Sequence, residues 1–493
     1  MYTISLLGEK SFKVNEGVLL LDALVQNGYI LPAPCGGNGI CGKCKVQLVK
    51  GEVLHAEKDE NGFVLACKAR VIGDITLALP QEKGCGLDEF NGALLQGEKE
   101  GLGVALDIGT TTLAACLVDL KTGAVQEKIS ALNPQGVYGA DVLSRIDACS
   151  RGKLVSLTEL IREKTVELVE KLAKGKPIEE LVVAANTTML HLFMGVDPTP
   201  IGVAPFTPVF TAAKEIEGAC LGLPTKKVRL LPSISAYVGA DITAGALACE
   251  MGRGVELLVD VGTNGELLLF DGKSLCAAST AAGPALEGAC MDCGIGGVSG
   301  AIDKVFIKDG ELAFTTVDNA PAKGICGSGY IDLIAVLMQE GLIDETGAWD
   351  EDSDSSLLKK LDCDKFYLTS NIYLSQRDIR QFQLAKSAIR AGIETLLSIR
   401  NLTPKSLDKL YIAGGLGYYM NVKNAAAVGL LPPACKDKAQ AVGNTSLAGA
   451  RLCLLQEGYN QKAAQIAGET QTVELSFSQT FQELYVEHMA LGK

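Results

Sequence analysis

Four cysteines near the N-terminus, Cys35, Cys41, Cys44 and Cys67, hold the first legible chemistry of this 493-residue chain. Three stand as C-x5-C-x2-C within Cys35-Gly-Gly-Asn-Gly-Ile-Cys41-Gly-Lys-Cys44, and the fourth follows in Val-Leu-Ala-Cys67-Lys. Thiolates at this spacing suit a [2Fe–2S] cluster. Three on a tight loop wrap it, and one from a distant strand closes the second iron. Gly36, Gly37, Gly39 and Gly42 let backbone N–H groups approach the sulfurs, which helps to set the potential. The alternatives are a zinc site or incidental buried thiols. Zinc favours two separated C-x2-C pairs, and this loop has one. Cys85 is an outside candidate for fourth ligand.

A second chemistry follows downstream. Asp107-Ile-Gly109-Thr110-Thr111-Thr112 is echoed by Asp260-Val-Gly262-Thr263-Asn264-Gly265-Glu266. In each, glycines let backbone N–H groups reach phosphate oxygens and hydroxyls add donors. The aspartates repel phosphate, so their natural role is to hold Mg²⁺ through water or to orient an attacking water. One such D-x-G-T run is weak, since many hairpin turns read this way. Two copies, with Ala413-Gly414-Gly415-Leu-Gly417 after a third apolar strand, point to a polyphosphate site whose third loop, at Gly414 and Gly415, offers bare backbone for an adenine ring to lie against. The loops resemble those of the ATPase fold of sugar kinases, actin and heat-shock chaperones, in which a helix between the two phosphate loops carries a polar or acidic group near the γ-phosphate. By that resemblance Asp241, in Tyr237-Val-Gly239-Ala-Asp241, is a third catalytic carboxylate, the alternative being a plain helix N-cap.

These motifs need elements to hold them. Residues 1–82 alternate as short strands around a helix at Leu19-Leu-Leu-Asp-Ala-Leu-Val, which predicts a small β-rich domain. Residues 83–101 are glycine-rich and charged and read as a flexible linker, spanning roughly 25 Å as a coil. From residue 102 the pattern is α/β, with strand–turn–strand units at Asp107 and Asp260. The expectation is two ATPase lobes of similar fold, 102–254 and 255–493, facing one cleft. Helices are expected at Leu157–Leu172, Asp241–Met251, Ser328–Gly341, Asp378–Ile399 and Thr445–Gly458.

Composition excludes several classes. A net charge of −13 argues against nucleic acid as a partner. No long apolar run predicts a membrane span, and the N-terminus does not read as a secretory signal. Sixteen cysteines without such a signal suggest free thiols or metal ligands in the reducing cytoplasm.

The three glycine loops together resemble the ATPase fold shared by acetate and sugar kinases, actin and the large heat-shock chaperones. With the cysteine domain added, the chain is similar to the family typified by the reductive activator of corrinoid proteins. Further stretches carry the resemblance: Asn133-Pro-Gln-Gly-Val-Tyr-Gly-Ala-Asp141-Val-Leu-Ser-Arg145, Asn186-Thr-Thr-Met-Leu-His191, Asp197-Pro-Thr-Pro-Ile-Gly-Val-Ala-Pro205, Gly324-Ile-Cys-Gly-Ser-Gly329 and Asp378-Ile-Arg-Gln-Phe-Gln-Leu-Ala-Lys386. The resemblance implies a β-grasp ferredoxin-like domain followed by a two-lobed actin-like, ribonuclease H-like ATPase domain. It implies a [2Fe–2S] cluster, ATP and Mg²⁺ as cofactors. It implies ATP-dependent one-electron reduction of the Co(II) form of a corrinoid protein, part of a methyltransferase system, to Co(I), fed by an upstream low-potential donor. A homodimer through the ATPase domain is a further expectation. One departure is that only residues 83–101 separate the cluster and ATPase domains, where a separate middle domain has a natural place. The competing readings are an activator of another low-potential metalloenzyme, a small-molecule kinase with a regulatory cluster, and an actin-like or redox-sensing scaffold.

Other residues read as ordinary structure. His191 is expected to be a satisfied structural histidine, and His55 and His488 surface residues. Cys290-Met-Asp-Cys293 offers a second C-x2-C, read as backbone-driven rather than metal-binding. Ile379, Phe382, Ile389, Ile393 and Leu396 lie at mostly helical spacing and predict a core or dimer face.

Overall fold

The computed structural model describes residues 1–7, 11–27, 29, 31, 37, 39, 42–59, 61–79, 95–288, 290–416 and 420–493. The chain divides into two compact units. One comprises Met1–Lys83, Leu132–Lys164 and His191–Thr207; the other comprises Gly84–Ala131, Thr165–Leu190 and Pro208–Lys493.

In the first unit, residues 2–78 build a five-stranded sheet in the order Phe12–Val14, Tyr2–Leu6, Ile75–Ala78, Lys45–Lys50, Phe63–Leu65. Tyr2–Leu6 is antiparallel to Phe12–Val14 and parallel to Ile75–Ala78. Helix Leu20–Gln26 buries Leu20, Leu21, Ala23 and Leu24, which its 3.6-residue period brings to one face. They join Ile4, Val46, Val64 and Leu77 in one core. This is the β-grasp arrangement. The apolar run 69–77 does not form one strand, because the chain breaks at Gly73. Arg70–Val71 pairs instead with Val53–Leu54, and Asp74 accepts the Thr3 N–H at 2.7 Å. In residues 132–164 of this unit, Asn133 caps a short 3₁₀ turn and Asp141 caps helix Val142–Ser150. Arg145, fully buried, donates to the Gly139 carbonyl at 3.0 Å and to Gln135 Oε1 at 3.2 Å.

The second unit contains the same five-strand motif twice. The first sheet runs Val125–Leu132, Thr112–Asp119, Leu102–Ile108, Glu180–Ala185, Lys227–Leu230, with Lys214–Glu217 at its edge. The second runs Leu275–Thr280, Gly265–Phe270, Glu256–Val261, Lys409–Ala413, Ala439–Gly443, with Gln471–Thr472 added beside the first of these. In both, the leading strand pairs antiparallel with the next in sequence and parallel with one arriving after a helix. That is the doubled actin-like, ribonuclease H-like plan. The central strands are buried along almost their whole length, as strands covered on both faces must be.

Helices Ala240–Ala248 and Thr445–Leu455 pack against each other. Gly449 makes this possible, since a Cβ there would collide with the Ala244 carbonyl. The second helix ends earlier than the sequence suggested. Gln456 is extended, and a new helix runs Glu457–Glu469. Helix Gln376–Ile399 buries Ile379, Phe382, Ile389, Ile393 and Leu396 completely, so this face is core within one chain. His488 is likewise buried, against Glu394 at 3.2 Å, and not at the surface as expected. His191 is fully buried and His55 exposed.

The segment expected to be a free tether is anchored over its described part. Gly97 N donates to the Lys121 carbonyl at 3.2 Å and Glu98 N to the Leu455 carbonyl at 3.0 Å. Gln456 Nε2 donates to the Gln96 carbonyl at 2.9 Å, and Lys99 pairs with Glu180 at 2.5 Å. Residues 80–94, with Cys85, lie outside the described residues.

Candidate functional site

Two strand–turn–strand units put Asp107 and Asp260 at the ends of equivalent strands. In the first turn, Gly109 N donates to the Thr112 carbonyl at 2.9 Å; in the second, Gly262 N donates to the Asn264 carbonyl at 3.1 Å. These bonds close the turns and present the Thr110–Thr111 and Thr263–Asn264 segments to one cleft of about 270 Å³. Asp107, Asp241, Asp260, Gly109, Thr110, Thr111, Thr112, Gly262, Thr263, Asn264, Gly414 and Gly415 all line it. Gly265 does not. It is buried beneath, where a Cβ would lie 2.6 Å from Thr280 Oγ1. Gly414 takes φ +88°, and a Cβ there would lie 2.6 Å from Asp260 Oδ1. The bare backbone at 414 thus keeps that carboxylate accessible.

Several lining residues escaped the sequence reading. Asn444 Nδ2 and Ser446 Oγ donate to Asp107 at 2.8 and 2.7 Å, from the start of the helix whose later residue Gly449 crosses Ala244. Asn186 Nδ2 donates to Thr110 Oγ1 at 3.1 Å while its Oδ1 accepts Met189 N. Glu266 and Glu287 add two more carboxylates. Glu266 stands directly across the hairpin from Asp260. Its neighbourhood was visible as the end of the second D-x-G-T run; Asn444, Ser446 and Glu287 had no motif to mark them.

Electrostatics follow from crowding acids into a desolvated cleft. Burial raises Asp260 to about 8, and the charges of Asp241, Asp107 and Glu287 push the same way. Burial raises Asp241 to about 7 against the Ile242 N–H bond that favours its charged form. Glu266 is pushed well above the usual carboxylate range, first by burial and then by Asp241 and Asp260. Asp107 is raised by burial, with Ser446 and Asn444 opposing. Asp241 lies in the first turn of its helix, capped by Gly239, and is therefore not the N-cap itself. A cleft that forces protons onto its acids is one that a cation would complete. Among the described residues no three such side chains are placed to hold one metal ion directly. Oxygen donors of this kind suit a hard divalent cation that keeps part of its water shell.

Of the cluster cysteines, Cys35 and Cys41 lie outside the described residues, as does Gly36. Cys44 and Cys67 are both buried in the small domain, and the Cys67 N–H donates to Cys44 Sγ at 3.5 Å. Gly37, at φ +83°, brings its backbone close enough that a Cβ would sit 3.9 Å from Cys67 Cβ. Two buried thiols, an amide on one sulfur and a left-handed glycine turn beside them fit a cluster cradle. At the other C-x2-C, Cys293 accepts the Tyr373 N–H at 3.5 Å while Cys290 is exposed. No helix is long and apolar enough to cross a membrane among the described residues.

Comparison with known proteins follows the same division. Residues 5–71 match the 2Fe-2S iron-sulfur cluster binding domain, 102–254 the RACo middle region, and 254–493 the C-terminal domain of RACo, the ASKHA domain. The middle region thus matches the segment that forms the first doubled-motif sheet. The corrinoid activation enzyme RamQ of Eubacterium limosum is 33% identical over 421 residues, covering 80% of this chain and 71% of that protein. The [Co(II) methylated amine-specific corrinoid protein] reductase of Methanosarcina barkeri is 27% identical over 428 residues, covering 78% and 76%. A solved structure of a reductive activator for corrinoid, iron-sulfur protein superposes with TM-score 0.74 at 28% identity, covering 100% of this chain and 98% of that one.

Proposed function

The chain belongs to the family of corrinoid-protein reductive activators, and we propose that it returns the cobalt of a partner corrinoid protein from Co(II) to Co(I) with hydrolysis of ATP. The observation that carries this reading is the pairing in one chain of a β-grasp cysteine domain with a cleft lined by two D-x-G-T loops. Either alone would have simpler uses. Together they suit an acceptor that needs both an electron and a nucleotide-driven change of shape.

In the cysteine domain Cys35, Cys41, Cys44 and Cys67 would hold a [2Fe–2S] cluster. When bound, the cluster supplies single electrons. The Cys67 N–H on Cys44 Sγ stabilises charge on that sulfur. In the cleft, hydroxyls and backbone of Thr110, Thr111, Thr263 and Asn264 bind phosphate. Asp107, held by Asn444 and Ser446, and Asp260 would hold a Mg²⁺ ion, which would neutralise phosphate charge. Asp241 stands beside them to place the attacking water. This is positioning and electrostatics, as phosphoryl transfer requires. The free-energy scale is reasonable, since about 59 mV uphill costs about 1.4 kcal/mol for one electron. The work is cytoplasmic, with an upstream low-potential donor and no nucleic acid. The domains are 1–82, 102–254 and 255–493. Self-association through the ATPase domain would not use the face of helix Gln376–Ile399 that carries Ile379, Phe382, Ile389, Ile393 and Leu396, which is buried within one chain.

The test separates the halves. Cys67→Ala should lose the visible cluster bands and Co(I) production but keep ATP hydrolysis. Asp260→Ala should keep the bands but lose hydrolysis and Co(I). Co(I) produced by either variant at the normal rate would refute the proposal.

A further inference from the structure

Glu287 belongs to none of the motifs that marked the cleft. It ends the short 3₁₀ turn Pro284–Glu287 in the second lobe and lines the cavity. Its Oε2 accepts the Thr263 hydroxyl at 2.7 Å and the Thr111 hydroxyl at 3.2 Å. Thr111 belongs to the loop of the first lobe and Thr263 to that of the second. One carboxylate oxygen therefore receives the hydroxyls of both loops.

That is the bonding an oxygen of a terminal phosphate would receive if the cleft holds ATP, the reading on which this inference rests. Each hydroxyl has a single proton to donate. Two anionic oxygens competing for the same pair of donors repel each other. A γ-phosphate arriving between the loops must therefore take the hydroxyls from Glu287. A diphosphate ends one phosphoryl group short and leaves the carboxylate in place.

We propose that Glu287 is the γ-phosphate sensor of this site, bridging the two loops in the empty and ADP-bound protein and displaced by ATP alone. The carbonyl of the preceding Leu286 lies where a side chain on Gly327, the first residue of helix Gly327–Gln339, would stand. Gly288, next in the chain, turns at φ +79° against Ile295 and leads to the exposed Cys290. The residues flanking Glu287 thus pack closely on a core helix and on the segment at Ile295.

The test is calorimetric titration of the full chain and of Glu287→Gln with Mg-ADP and with the Mg complex of a non-hydrolysable ATP analogue. The amide keeps the shape but removes the competing charge. The expected result is a gain of about tenfold in affinity for the triphosphate, with ADP unchanged within about twofold. Glu287→Ala should shift the triphosphate in the same direction, which guards against a folding artefact of the amide. Equal changes for both nucleotides would show a merely structural role and overturn the inference. A loss of triphosphate affinity would overturn it too, because Glu287 would then assist binding. Failure of the unaltered chain to bind either nucleotide would overturn the ATP reading itself, and this inference with it.

Discussion

Asp260 and Glu266 face each other across one rung of a hairpin, and Asp107 and Asp241 complete a group of acids lining one cleft. Two predictions belong to these residues. Asp107→Ala and Asp260→Ala should each lower ATP hydrolysis by orders of magnitude, since stabilisation of developing charge carries most of the rate. Their visible cluster spectra should be unchanged, and hydrolysis at the normal rate in both would remove the cleft from the account. The second prediction concerns pH. Asp241 at about 7 and Asp260 at about 8 stand above the 3.8 of an unperturbed aspartate. Between those limits the folded chain binds more protons than the unfolded one, so stability is lost as pH rises. In chelator, the thermal midpoint should fall from pH 6 to pH 8.5, and Asp260→Asn should flatten the slope. Mg²⁺ should restore more at pH 8.5 than at pH 6. An identical slope in Asp260→Asn would clear these acids of the effect. The three aspartates were legible in the sequence because two share a repeated turn and the third opens a helix. Asn444 and Ser446 were not, because their partner Asp107 lies more than 300 residues away along the chain. Glu287 sits on a 3₁₀ turn too short for any periodicity to reveal.

At the level of elements, the site depends on two helices that touch through glycine. Thr445–Leu455 carries the residues that hold Asp107, and Ala240–Ala248 carries Asp241. Gly449→Leu would drive a side chain into the Ala244 carbonyl, so the helices must separate. The variant should lose most ATP hydrolysis while keeping its cluster bands, and its thermal midpoint should fall. Retention of full hydrolysis would show that this crossing does not set the geometry. Much of this layer was readable in advance. Apolar strands on either side of each D-x-G-T turn gave both strand–turn–strand units, and the helical period gave a helix at Asp378–Ile399, which the structure begins two residues earlier at Gln376. The break at Gln456 was not readable, because it is fixed by distant groups. Glu98 N takes the Leu455 carbonyl, and Glu457 N finds Glu98 Oε2 at 3.2 Å. The same bonds explain why residues 95–100 are anchored although their composition reads as linker. Local sequence cannot announce a hydrogen bond to a segment more than three hundred residues on.

The whole molecule joins two chemistries that sequence alone distinguishes well, since cysteine spacing and glycine loops are both local signals. Their common purpose is not local, and it came from the family resemblance that the comparisons then bore out. The account makes the nucleotide an energetic participant in electron delivery and not an accessory. The direct measurement is anaerobic spectroscopy of a Co(II) corrinoid protein mixed with the full chain and a low-potential reductant. It should be followed with Mg-ATP, with Mg-ADP and with no nucleotide. The Co(I) band should grow only with Mg-ATP, in step with phosphate release. Equal Co(I) yield in all three would contradict the account, because the cleft would then have no part in driving the electron uphill.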